Sequence, residues 1–143
     1  MIKKVLTLLI FITTFAFSMQ GKTMTVYKSP YCGCCTTWVD IMKSKGFDIK
    51  IEMVDNVMFL NERLGITAQT ASCHTALIDG YVVVGHVNYS AIKKMLNDKP
   101  DIKGITVPGM PIGSPGMEQD NIKQRYNVLY INHDGTTGIY EKH

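Results

Sequence analysis

Four cysteines carry the chemistry most open to this chain: Cys32, Cys34 and Cys35 in one Cys-Gly-Cys-Cys run, and Cys73 followed at once by His74. Thiolate sulfur is both a nucleophile and a soft metal ligand, and it forms where a cation or the positive end of a helix lowers the thiol pKa. Cys32 and Cys35 have the Cys-x-x-Cys spacing of dithiol redox sites. Cys34 crowds a third sulfur into the same turn, which dithiol exchange does not need. Such surroundings select Cu(I), Zn(II) or iron–sulfur clusters over hard cations. A zinc site of four cysteines usually draws its ligands from two separated pairs, whereas adjacent Cys34 and Cys35 project from a helix in different directions. Cu(I) accepts two or three sulfur ligands, and bridging thiolates hold several ions together. The spacing therefore favours a small polynuclear copper–thiolate site. Zinc and a purely disulfide-based site are the other readings.

Further residues qualify for supporting parts. Met110 and Met117 fall in a Gly- and Pro-rich stretch, where thioethers can meet a soft metal or simply pack the loop down. His86 is either an accessory or outer-sphere group or a histidine bonded to backbone at a strand end. Trp38 is expected in the core or as a lid beside the cysteines, and Tyr31 as a shield against water. Met42, Met53 and Met95 fall on apolar faces and are expected in the core. His133 and His143 receive no role.

The elements that must position these groups follow from periodicity. Met24–Tyr27 reads as a strand closed by Ser29-Pro30, and Trp38, Val39, Ile41 and Met42 recur at helical spacing before Gly46. Ile49–Val54 reads as a second strand and Val57–Leu64 as a short helix ending at Gly65. Thr75–Ile78, the Asp79-Gly80 turn and Tyr81–Val87 form a hairpin signal. Ser90 is expected to cap a helix holding Ile92, Met95 and Leu96, with Pro100 beyond it. This order predicts an α/β (α+β) thioredoxin-like single domain, a βαβ unit completed by an antiparallel hairpin. There the loop before the hairpin faces the redox motif, so Cys73 and His74 should meet the Cys32–Cys35 run. Residues 107–117 should form an irregular loop. Tyr126–Ile131 and Gly138–Tyr140 should form an additional C-terminal hairpin that extends or covers the same sheet.

Length and charge agree with one modest domain. The chain has 143 residues, 45% of them hydrophobic and 19% charged. Residues 1–18 read as a cleaved signal peptide: Lys3 and Lys4, then an uncharged run from Val5 to Phe17, then small residues around Ala16-Phe17-Ser18. At about 1.5 Å per residue that run spans roughly 20 Å, short of the roughly 30 Å hydrocarbon core. The domain proper would then be 19–143, holding 13 of the 15 basic residues against all 12 acidic ones. A balance of +1 gives no case for nucleic acid or for a membrane surface after signal cleavage.

The run Tyr27-Lys28-Ser29-Pro30-Tyr31-Cys32-Gly33-Cys34-Cys35, with Ser72-Cys73-His74-Thr75, Gly85-His86-Val87, Val107-Pro108-Gly109-Met110-Pro111 and Gly113-Ser114-Pro115-Gly116-Met117-Glu118, resembles the CopG-type periplasmic copper-resistance proteins. The resemblance spans the chain to Glu118 and departs at Asn88, where that family's pattern leads one to expect proline. It implies a thioredoxin-like fold and a periplasmic location. It also implies copper held by Cys32, Cys34, Cys35 and Cys73, with His74 as neighbour or ligand, and a copper oxidoreductase role. Two competing functions stay open: a protein thiol–disulfide oxidoreductase using Cys32 and Cys35, and a metallochaperone passing copper to a periplasmic copper or redox partner protein.

Overall fold

The computed structural model describes residues 23–143; the expected signal segment, residues 1–18, lies outside them. Strands and helices alternate in the order β1 (Thr23–Lys28), α1 (Gly33–Ser44), β2 (Asp48–Met53), α2 (Val57–Arg63), β3 (His74–Ile78), β4 (Tyr81–Val84) and α3 (Tyr89–Asp98). β5 (Gly104–Thr106), β6 (Asn127–Ile131) and β7 (Thr137–Lys142) follow. One sheet runs β2-β1-β3-β4-β5-β6-β7. β1 and β2 are parallel, β3 and β4 antiparallel to their predecessors, and this half with its helices is the thioredoxin-like unit. The tail does extend the sheet, as β5 joins β4 in parallel and the β6–β7 hairpin adds to its far edge. Among the described residues no helix is long and apolar enough to cross a membrane.

The core explains why these segments hold. Met24 and Val26 face inward at strand spacing and meet Trp38, Val39 and Met42 of α1 and Ala91, Ile92 and Met95 of α3. Burying each Val, Ile or Met among them is worth about 1.5–3 kcal/mol. The Asp79-Gly80 turn has both residues at positive φ, 51° and 83°, as a two-residue hairpin requires. α2 is tied to β3 by a buried bond from Thr75 Oγ1 to Asn61 Oδ1 (2.6 Å).

Several expectations need correction. β4 stops at Val84 and not Val87, because Gly85 turns to φ 72° and leaves the ladder. α3 begins one residue before Ser90, with Asn88 at the N-cap position. Ser90 Oγ instead accepts from Asn88 Nδ2 (2.8 Å), so no side chain caps the helix. Met53 is 58% exposed because it closes the edge strand β2, which has a neighbour on one side only. β5 occupies a segment for which periodicity predicts no element.

Candidate metal centre

β1 ends at Lys28, a short turn follows, and α1 starts within the cysteine run. Cys32 is the N-cap, and its Sγ accepts the Cys35 backbone N–H at 3.3 Å. A cysteine thus does what serine or aspartate does at most helix starts. Cys32 and Cys35 are joined by a disulfide, while Cys34 and Cys73 are free. Cys34 Sγ lies 3.5 Å from Cys32 Sγ, and Cys35 Sγ lies 3.6 Å from the Cys73 carbonyl oxygen. All four sulfurs lie within 4.8 Å of one another, so the two cysteine segments meet as the topology predicts.

Cys73 is placed by a loop with its backbone tied down. Thr106 Oγ1 donates to Thr70 O (2.7 Å), Gly109 N–H to Ala71 O (3.2 Å), and Ser72 Oγ to Gly109 O. Burial, followed by the neighbouring Cys34 sulfur, pushes the Cys73 thiol up to about 11. Without metal it is therefore a thiol, and a metal that binds there must displace its proton.

Two histidines adjoin Cys73. His74 Nδ1 lies 3.5 Å from its sulfur, and His86 Nε2 lies closer, at 3.1 Å. Cys73, His74 and His86 form a second group whose ligand atoms lie within 4.8 Å of one another. Both imidazoles are fully buried. Burial, then the field of His86, brings His74 down to about 3, and burial lowers His86 as well. Both are neutral at ordinary pH, the state in which imidazole ligates metal. His86 Nδ1 meets Pro115 O at 2.8 Å; donation there leaves the Nε2 lone pair facing the sulfur, the usual outer support of a metal-binding histidine. His74 Nε2 is buried with no hydrogen-bond partner among the described residues.

Other assigned residues separate. Trp38 is core and neighbour at once: its indole N–H donates to Val87 O (2.9 Å) and its ring lies 4.5 Å from that of His74. Tyr31 does not shield the site; it is 94% exposed on the turn before Cys32, where its ring covers nothing. Met117 is half-buried on the loop whose Gly116 lies against Cys34 and Trp38 of α1, while Met110 is 51% exposed beyond Gly109. His133 meets Asp101 (3.1 Å) and His143 meets Glu141 (2.6 Å), away from the cysteines in sequence and in sheet position. Sequence reasoning passed over Lys28, buried at the end of β1. Strand alternation from Met24 and Val26 was the signal that could have found it.

Fold and site together define a thioredoxin-like domain with a sulfur-rich centre able to hold metal. The family model described as "Protein of unknown function, DUF411" matches residues 70–117. Two solved structures, "Copper resistance protein copG- Form 2" and "Copper resistance protein copG- Form 1", match with TM-scores of 0.82 and 0.81, each at 33% identity. Both alignments cover 87% of this chain, with 99% and 98% of the other. No curated protein sequence matches. The chain belongs to the CopG copper-resistance family.

Proposed function

We propose that this is an exported, periplasmic copper-resistance protein, cut near residue 18, that holds Cu(I) on Cys32, Cys34, Cys35 and Cys73 as a polynuclear thiolate site. The observation that carries the reading is the convergence of four sulfurs within 4.8 Å, one of them on a separate loop. His74 and His86 adjoin Cys73 as nitrogen donors or outer support, and Met110 and Met117 are thioether candidates from the covering loop. Copper is cargo here, and the bridge controls access to it. Closing Cys32–Cys35 passes two protons and two electrons from a pair of thiols to a disulfide oxidant, which leaves as a dithiol, and withdraws two donors from the metal. A dithiol reductant supplying both restores the site. Copper loading and thiol redox chemistry are thereby coupled, the form in which an oxidoreductase role enters.

The backbone beside the bridge favours this reading over protein disulfide exchange. Gly109 N–H donates to Ala71 O and Ser72 Oγ to Gly109 O, which ties this loop down. Cys34 and the Cys73-His74 pair, which dithiol exchange between Cys32 and Cys35 does not need, complete a metal-binding donor set there. The test is anaerobic titration of the reduced protein with Cu(I) against a chromophoric chelator. Tight uptake is expected, weakened at least hundredfold by Cys34→Ser or Cys73→Ser; uptake no tighter than that of those variants sinks the reading. Robust insulin reduction by the metal-free protein, untouched by Cys34→Ser, would establish the thiol–disulfide alternative instead. Copper passing to a mixed partner protein on a column would mark a metallochaperone.

A further inference from the structure

Lys28 is 2% exposed, the only charged side chain buried to this degree among the described residues. It follows Met24 and Val26 on the inward face of β1. Its ammonium donates to Ser29 O at 2.9 Å and approaches Met53 Sδ at 4.0 Å. Among the described residues no ion pair ties it to a carboxylate. A buried ammonium without a counter-anion is costly, and an apolar chain of the same length would avoid the cost. The charge therefore lacks a counter-anion among the described residues of the bridged protein.

Two contacts lead from the ammonium to the cysteine segments. Ser29 O, which accepts from Lys28 Nζ, also accepts the Cys32 backbone N–H at 3.2 Å, so the ammonium and the cysteine turn share one oxygen. Across the ladder Lys28 stands directly opposite His74, the residue after Cys73. Its charge is felt there: behind burial and His86, it helps to keep the His74 imidazole neutral. Lys28 thus adjoins both segments that bring sulfur to the centre.

We propose that Lys28 is the fixed counter-charge of the cysteine centre, stabilising thiolate in the reduced site and so setting how readily the Cys32–Cys35 bridge opens. The disulfide is uncharged and leaves the ammonium unmatched, whereas reduction returns ionisable thiols to the turn whose Cys32 N–H shares Ser29 O with it. A cation at this place favours the reduced form and raises the reduction potential. A copper–thiolate cluster with more sulfurs than copper ions carries net negative charge and gains from the same cation. That last consequence rests on the copper reading; the effect on the thiols does not. Lys28 acts through the sulfurs and is a positioning residue, not a catalytic one.

The experiment equilibrates metal-free protein with glutathione. Two glutathione molecules give up their hydrogens to open one bridge and leave as one oxidised glutathione, and alkylation then counts the thiols. Lys28→Met and Lys28→Gln should each move the equilibrium at least about tenfold toward the bridge, a potential lower by about 30 mV. Lys28→Arg should return it to within about threefold of wild type. If the neutral variants match wild type, or if Lys28→Arg shifts as far as Lys28→Met, the proposal is overturned. Two neutral side chains of different polarity keep the test open should one fail to fold. In a second arm, the reduced neutral variants should hold Cu(I) about tenfold more weakly in the chelator competition. Wild type that binds Cu(I) no better than Cys73→Ser would refute the copper reading, while the glutathione arm still decides the role of Lys28.

Discussion

The histidines at the cysteine end and those at the tail differ in one respect that separates their chemistry. His74 and His86 are fully buried, face the Cys73 sulfur and form no ion pair with a carboxylate among the described residues. His133 and His143 lie against Asp101 and Glu141, near solvent or partly in it. The first pair is held neutral with nitrogen lone pairs to offer; the second is placed to form ion pairs when protonated. The cysteine end is also the tighter one. A Cβ on Gly116 would lie 2.9 Å from Cys34 O and 3.0 Å from Trp38 N, whereas one on Gly135 in the β6–β7 turn would meet nothing within 4 Å. The same residue types thus serve a built centre at one end and a solvated hairpin at the other.

Substituting the two glycines is the hardest test of that contrast. Both have positive φ, 85° and 86°, so both alanines are strained, but only Gly116→Ala also collides with backbone. Gly116→Ala should cost about 3 kcal/mol in urea unfolding and Gly135→Ala about 1 kcal/mol; equal costs would mean that the loop over α1 is not packed as tightly as it looks. Next comes His86→Asn, expected to lower Cu(I) affinity by about ten- to hundredfold, where His143→Asn should leave it unchanged. If both behave alike, His86 has no part in holding metal.

The pH response of the metal-free, bridged protein sharpens the comparison further. The folded-state pKa of His74, about 3, lies below its unfolded value of 6.5. As pH falls below about 6.5, the unfolded chain takes up a proton that the folded chain refuses. The contribution of His74 is therefore fully present above that pH and is lost on descent toward 3. The loss is about 1.4 kcal/mol per unit, or about 2 kcal/mol between pH 6.5 and 5. His86, lowered in the same direction, adds to it. His74→Gln should flatten the slope, and a slope that survives the substitution would assign the acid sensitivity elsewhere. The smallest effect belongs to the tail, where His133→Asn should change stability by no more than about 0.5 kcal/mol at any pH in this range.

Much of the fold was legible because its signals are local. Asp-Gly between two apolar runs favours a hairpin, Gly46 and Gly65 stop helices at positive φ, and the strand–helix order leaves few topologies. The convergence of Cys73 on the Cys32–Cys35 run was legible through that topology. What escaped depends on contacts distant in the chain. β5 is three residues long, too short for a period, and exists because Gly104 lets the backbone approach Val82 closely. Met53 has the pattern of a core residue but lies on an edge strand, and strand position in the sheet is not written in alternation. The approach of His86 to Cys73 depends on the Pro115 carbonyl, 29 residues further along. The Cys32–Cys35 bridge follows the Cys-x-x-Cys spacing, whereas the free state of Cys34 and Cys73 was out of reach, since four thiols could also close two bridges.

The sulfur that caps α1 has one more consequence. Cys32 Sγ accepts from the Cys35 amide, belongs to the bridge and stands 3.5 Å from Cys34. Whatever happens to that atom changes the charge at the other end of a backbone hydrogen bond. The Cys35 amide resonance is therefore a native reporter, which should move in an NMR spectrum when the sulfur is reduced, reoxidised or metallated. The start of the helix keeps a readable record of the state of the centre, without any label added to the protein.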